Sequence, residues 1–428
     1  MESKTAAHFD SEGGGLESVC NFKDLVQGFC KEKDKNEKKV LSYYGALFNG
    51  HHNKDLVDTG RPFAADETHL QDFLSELGKL SPESKANLVK ELTFEQVKEV
   101  IKKECDYNKS PGLDGLPYEL YKSTFDIIGQ DFTRVLQVQM ARFRIIESDQ
   151  HGATRLTPKV EGVPAVTELR PITLLNCDYK ILSKCFVKRL TPVMPEVILS
   201  GQLCSNGEKN ILFGITNIVS SVEYVNLHKV PAFLVSYDMY KAYDRVMLSY
   251  LVKVMQAMEF PSTFVDWILM LHEGATTSFI LGFLTDPIKV LFSIRQGDPL
   301  SMLLYIIYIE PLLMMIRRMT RGLAVSHVQQ KDDDYCDDVN FIGERENDLI
   351  VIEEIFSNFE DVSGAILSRS EKSKVMGLGP WRGKQDWPMD WLKVVTMMKI
   401  FGFQIMPSYN QSLQLSLDAC LEGFRKTS

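Results

Sequence analysis

Two carboxylate sites stand far apart in the chain. The first is Val235-Ser236-Tyr237-Asp238, an apolar run that ends in a single acid. The second is Tyr335-Cys336-Asp337-Asp338, an acidic pair behind an aromatic residue and ahead of Val339-Asn340-Phe341-Ile342. Mg²⁺ is a hard ion that takes oxygen ligands, and it is commonly held by one or two carboxylates together with substrate phosphates. Two such ions, about 3.5–4 Å apart, need carboxylates brought from separate strands. A strand-ending Asp238 beside a hairpin pair Asp337-Asp338 suits that need. An Asp-Asp dipeptide alone is most often a solvated turn, so the chemistry depends on what surrounds it.

The surrounding elements are legible. Phe233-Leu234-Val235 lies between Pro231 and Asp238 and reads as a short buried strand. Val339-Asn340-Phe341-Ile342 reads as a strand leaving a tight turn. Leu248, Leu251, Val252, Met255 and Met258 recur at helical spacing, as do Phe264, Val265, Ile268 and Leu271. Thr277–Phe283 and Ile288–Ile294 read as strands around Thr285-Asp286-Pro287. Asp298 and Pro299 suit the N-cap and first position of a long apolar helix. Ile350–Phe359 reads as another helix. Upstream, Phe73, Leu77 and Leu80 follow helical spacing. Thr93 opens a helix carrying Val97, Val100 and Ile101. The turn-rich segment Ser110–Gly115 precedes a helix over Glu119–Phe125. Strands and helices mix without a βαβ rhythm, which predicts an α+β fold with helices on one face of a largely antiparallel sheet.

The chain has 428 residues, 44% of them hydrophobic, enough for two or three subdomains. The longest apolar stretch, Leu300–Ile316, contains Ser301, Glu310 and Pro311, so it reads as a buried helix and no membrane partner is expected. The eight cysteines form no C-x-x-C pair, which argues against a zinc knuckle or a disulfide framework and for a reducing intracellular compartment, nucleus or cytoplasm undecided. Net charge is −9, against the usual basic balance of nucleic-acid binders. Residues 151–190 run the other way, with seven cations against three anions. That basic stretch reads equally well as a solvated helix face.

A series of segments then occurs in one order. Ser110-Pro111-Gly112-Leu113-Asp114-Gly115-Leu116-Pro117 resembles the segment that opens the fingers of LINE-type (non-LTR) retrotransposon reverse transcriptases. Arg170-Pro171-Ile172-Thr173-Leu174-Leu175-Asn176, running on through Tyr179-Lys180-Ile181-Leu182, is similar to their fingers motif. Asp238-Met239-Tyr240-Lys241-Ala242-Tyr243-Asp244-Arg245-Val246 resembles their first palm motif, Ile294-Arg295-Gln296-Gly297-Asp298-Pro299-Leu300-Ser301 the second, and Tyr335-Cys336-Asp337-Asp338 the third. Ser363-Gly364-Ala365 with Lys372 resembles the fourth, and Lys399-Ile400-Phe401-Gly402 the primer grip. The resemblance spans residues 90 to 405.

It implies a right-hand polymerase fold of fingers and palm, and an RNA-directed DNA polymerase. The partners would be an RNA template, a DNA primer, dNTPs and other parts of a retroelement polyprotein or ribonucleoprotein. Asp238, Asp337 and Asp338 would hold two Mg²⁺ ions, or Mn²⁺, with the Met239 carbonyl as a further ligand. Lys159 and Arg170 would reach the incoming triphosphate. Tyr243 would lie under the sugar and exclude a 2′-hydroxyl. Gln296 and Gly297 would form a turn approaching template and nucleotide, and Lys372 would donate a proton to pyrophosphate. Expected boundaries are 1–90 for a partly helical lead-in, 91–230 for fingers, 231–405 for palm and 406–428 for the start of a truncated thumb. Two departures stand out. Glu208-Lys209 falls where the family usually has Gly-Arg, and Ser293 stands where a glycine is common. The rival expectation is a decayed or domesticated copy that binds RNA without polymerising.

Overall fold

The computed structural model describes residues 33–50, 65–158, 165–199, 202, 211–325, 328–331, 338–370 and 372–407. Its longer helices up to the first acidic site are α1 (Lys33–Phe48), α2 (Phe94–Lys103), α3 (Tyr118–Arg142), α4 (Cys177–Leu190) and α5 (Ile211–His228). Strands β1 (His151–Pro158), β2 (Leu169–Leu174) and β3 (Ala232–Asp238) lie among them. Then come α6 (Leu248–Ala257), α7 (Ser262–His272), β4 (Thr276–Phe279), β5 (Ile288–Lys289) and α8 (Ser301–Met319). The remainder is β6 (Leu323–Val325), β7 (Val328–Gln330), β8 (Asp338–Gly343), α9 (Glu346–Ser363), β9 (Lys374–Leu378), β10 (Lys393–Val394), β11 (Met398–Ile400) and β12 (Phe403–Ile405). The fold is mixed α+β.

Two four-stranded sheets organise it, in the orders β2-β1-β4-β5 and β10-β9-β3-β8. In the second, β3 pairs antiparallel with both β8 and β9. Its alternation is the reason for its burial. Phe233, Val235 and Tyr237 enter the large core shared with α6, α8 and α9, where the Tyr237 and Phe356 rings lie 5.0 Å apart. Ala232 and Leu234 face the other way, against Ile218, Val222 and Val225 of α5. Helices therefore cover both faces, not one as the sequence suggested. α5 lies before the sheet in sequence, and its place on the second face is set by packing.

The first sheet joins β1 and β2 antiparallel and adds β4 parallel to β1. The boundary expected at residue 230 does not separate the sheets, because β4 and β5 join β1 and β2. One face packs on α1, where Tyr44 meets Phe279 with ring centroids 4.9 Å apart. Lys33 to Lys39 of the mixed-charge run thus form the first half of α1, whose later half is core: Val40, Tyr44, Leu47 and Phe48 are all buried.

Local signals were mostly followed. Thr93 caps α2, its hydroxyl accepting from Gln96 N while the Gln96 side chain accepts from Thr93 N, both at 3.3 Å. α3 runs far beyond the expected 119–125. Tyr121, Phe125, Leu136 and Met140 form its buried side, but Ile127 and Val135 are exposed and blur the periodicity. Leu77 and Leu80 are buried beyond the end of the short helix Leu70–Leu74. β4 and β5 are shorter than expected. Leu281 N donates to Phe283 O at 2.9 Å and closes a turn, while Leu291 N and Phe292 N both donate to Phe48 O. α8 starts at Ser301, two residues after Pro299, because the Asp298 carboxylate is drawn into a buried cluster. It accepts from Tyr179 Oη at 2.7 Å, from Leu300 N at 3.0 Å and from the Ser183 hydroxyl. Beside it His272 is fully buried, and burial pushes its pKa down to about 4.

Candidate active site

Asp238 is the last residue of β3, and Asp338 the first of β8. The antiparallel register places them directly opposite each other, followed inward by Ser236 opposite Asn340 and Leu234 opposite Ile342. All six share one face. The apolar end of that face is covered by α5, whereas Asp238 is half-buried and Asp338 exposed. Two carboxylates from different strands at the open end of a sheet fit the oxygen-donor demand of a hard divalent ion. Asp337 and Tyr335-Cys336 lie outside the described residues, as do Lys159 and Glu208-Lys209.

The chain around Asp238 is pinned. Its amide donates to Ser373 Oγ at 3.1 Å, and its carbonyl accepts from Ser368 N at 2.8 Å. Met239 forms a backbone bridge with Leu367, and Tyr240 N donates to Ile366 O at 2.9 Å. The segment after Ser363-Gly364-Ala365 thereby lies against the first acidic site. Lys372 is exposed and adjoins Ser373.

Tyr243 sits in a 3-10 turn over Ala242–Arg245. It is half-buried, and its ring stacks on Tyr305 of α8 with centroids 4.9 Å apart and planes at 25°. Its carbonyl accepts from Ile294 N at 3.0 Å. Gln296 Nε2 donates to Asp244 Oδ1 at 3.1 Å, and Gln296 O accepts from Thr173 N at 2.7 Å. Gly297 has φ +117°, and a Cβ there would lie 2.3 Å from the Thr173 carbonyl oxygen. The close backbone approach that this glycine permits is thus to β2 of the same chain.

Arg170 is exposed on the outer face of β2 and makes no ion pair among the described residues. Four other cations of the basic stretch are tied into helix packing. Lys180 Nζ donates to Ser110 O at 3.1 Å, Lys184 Nζ to Glu104 O, and Arg189 Nη1 to Leu88 O at 3.3 Å, while Lys188 pairs with Glu99 at 2.8 Å. That stretch is not one basic surface. The Ser110–Gly115 turn packs on the start of α4. Asn176 Oδ1 accepts from Asp114 N at 3.5 Å, and a Cβ on Gly112 would lie 2.1 Å from that oxygen.

Three buried charged residues escaped the sequence reading. Asp244 receives Gln296. Arg245 donates from Nε and Nη2 to Gly364 O at 2.9 and 2.5 Å, and burial lowers its pKa to about 9. Lys241 Nζ donates to Leu169 O at 2.7 Å. Each lies within the segment 238–246, but nothing in their spacing says which part of the fold they bind.

The sequence has relatives among known proteins. The sequence matches the family "Reverse transcriptase (RNA-dependent DNA polymerase)" over residues 157–405. It is 30% identical over 343 residues to the transposon TX1 uncharacterized 149 kDa protein of Xenopus laevis, covering 79% of this chain and 25% of that protein. The chain therefore spans about a quarter of that relative's length. A solved structure of apo telomerase from Candida tropicalis, truncated from its C-terminal domain, aligns at 12% identity with a TM-score of 0.43, covering 65% of this chain and 59% of its own.

Proposed function

The chain belongs to the reverse transcriptase family, and from that premise we propose that it is an RNA-directed DNA polymerase of a non-LTR retrotransposon. It extends a DNA primer on an RNA template. The observation that carries this reading is the pair Asp238 and Asp338, facing each other where β3 ends and β8 begins. Residues 91–230 serve mainly as fingers, 231–405 mainly as palm and 406–428 as the start of a thumb, with 1–90 as lead-in, although β4 and β5 from beyond residue 230 complete the sheet of β1 and β2. Among the described residues no helix is long and apolar enough to cross a membrane.

Asp238, Asp338 and Asp337 would hold two Mg²⁺ or Mn²⁺ ions. Such ions, when bound, make the primer 3′-hydroxyl more acidic and offset charge on the departing pyrophosphate. The rest falls to the protein. The primer 3′-oxygen forms a bond to the α-phosphorus of the dNTP as the bond to pyrophosphate breaks. Arg170 and Lys159 bind the triphosphate and offset the charge that develops on it. Tyr243, held by Tyr305, lies under the deoxyribose. The Gln296-Gly297 turn, fixed to Thr173 and Asp244, bounds the nucleotide and template, and Lys372 supplies a proton to pyrophosphate. Catalysis of this kind rests on positioning and charge.

The test is primer extension on an RNA template with dNTPs and Mg²⁺, beside an Asp238→Asn control. Extension by the wild type alone is the expected result. No extension by folded wild-type protein overturns the reading.

A further inference from the structure

We propose that Lys241 is a positioning residue that sets Arg170 against Asp238, by hydrogen-bonding the free edge of β2 from the acidic-site loop. The proposal rests on the reading above, in which Arg170 binds the incoming triphosphate.

β2 is the outermost strand of its sheet. Along its free edge the backbone of Leu169, Pro171 and Thr173 points outward. An unpaired edge needs partners for its polar groups. Pro171 has no N–H to satisfy. The other two positions are both taken by the segments that carry the site. Thr173 N donates to Gln296 O at 2.7 Å, and Lys241 Nζ donates to Leu169 O at 2.7 Å. Arg170 lies between these two attachments. They also meet each other, because Asp244 N donates to Lys241 O at 2.9 Å and Asp244 Oδ1 accepts from Gln296.

Lys241 is 8% exposed, an unusual place for an ammonium group. Its backbone has φ +50°, the left-handed region that a lysine rarely adopts. Its Nζ lies 5.7 Å from the ring centres of both Tyr43 and Tyr44, whose π faces attract a cation. Tyr44 Oη donates to the same Leu169 carbonyl at 3.2 Å, and Tyr43 Oη bonds Tyr240 Oη at 3.0 Å. One carbonyl, on the residue before Arg170, is therefore gripped from two sides. One donor stands three residues after Asp238, and the other is on α1, outside the segment matched by the family. A hydrogen bond buried here favours one geometry, where an apolar side chain of similar length would leave the Leu169 carbonyl without this donor.

The experiment measures dNTP binding and turnover in Lys241→Met, Arg170→Ala and the double variant. Binding is read by titrating dNTP into the complex with RNA template and a dideoxy-terminated primer, where no chemistry occurs. Lys241→Met is expected to raise the dNTP Kd and KM about tenfold while kcat changes far less. Lys241→Arg, which keeps a donor, restores most of the loss. In the double variant the losses do not multiply, because both residues act at one point. Multiplying losses, or a fall in kcat at unchanged Kd, would overturn the proposal. If Lys241→Met does not fold, Tyr44→Phe carries the test: it keeps the ring and removes the second donor, and an unchanged dNTP Kd refutes the clamp. A folded wild type that binds no dNTP instead removes the polymerase reading and this proposal with it, whereas wild-type binding with multiplying losses removes the proposal alone.

Discussion

Asp238 and Asp338 stand directly opposite each other across β3 and β8, with both side chains on one face of the sheet. Like charges so placed oppose the ladder that brings them together. That cost is tolerable if a cation binds between them. Asp238→Asn should lower Mg²⁺-dependent primer extension by roughly 100-fold or more. Its thermal unfolding midpoint in metal-free buffer should equal or exceed that of the wild type. Loss of activity together with a lower midpoint would mean that Asp238 serves the fold instead.

The stacked Tyr243–Tyr305 pair makes a second expectation specific. Tyr305 is fully buried in α8, so it fixes where the Tyr243 ring can stand. Tyr243→Ala should admit ribonucleotides, lowering the dNTP-to-rNTP ratio of kcat/KM by roughly tenfold or more. Tyr243→Phe keeps the ring and should keep the ratio. Equal discrimination in wild type and Tyr243→Ala would remove the gate.

Ser293 has φ +138°, backbone that a side chain rarely adopts. Its amide is nevertheless committed, donating to Val246 O at 3.1 Å. Relief of strain outweighs the greater freedom of glycine in the unfolded chain. Ser293→Gly should therefore stabilise the protein by about 1 kcal/mol, read from urea unfolding. A lower midpoint in the variant would contradict this.

Asp149 is buried and accepts from Asn176 Nδ2 at 3.1 Å, and Asn176 Oδ1 accepts in turn from Asp114 N. Burial, with the neighbouring Asp178, pushes its pKa up to about 8. The folded state therefore holds this proton more tightly than the unfolded chain, whose aspartates titrate near about 3.9. The resulting stabilisation is complete below about pH 4 and is lost as pH rises to about 8. Asp149→Asn, neutral throughout, should lose less stability than wild type across that window. Parallel pH profiles of the two proteins would show that Asp149 does not titrate there.

The sequence by itself determined the local elements that signal over short range. The apolar run into Asp238, the Thr93 capping box and the apolar length of α8 each declare their element through neighbouring residues. Motif order likewise identified the family, because it is written along the chain. Where those elements lie relative to one another was decided only in three dimensions. That Asp338 faces Asp238 depends on strand register, which is fixed by the pairing of residues a hundred positions apart. That α5 covers only the apolar end of the β3–β8 face, leaving the carboxylates open, depends on packing.

The same limit explains the roles that went unseen. Gly297 was legible as a close-approach glycine, but its neighbour is the Thr173 carbonyl. Lys241, Asp244 and Arg245 stood only as part of the first palm motif, since hydrophobic periodicity reports which side is buried and says nothing of a buried polar group's partner. Their partners are Leu169, Gln296 and Gly364. Backbone carbonyls carry no side-chain signature, so a lysine or arginine that binds one becomes visible only when the tertiary structure brings the two together.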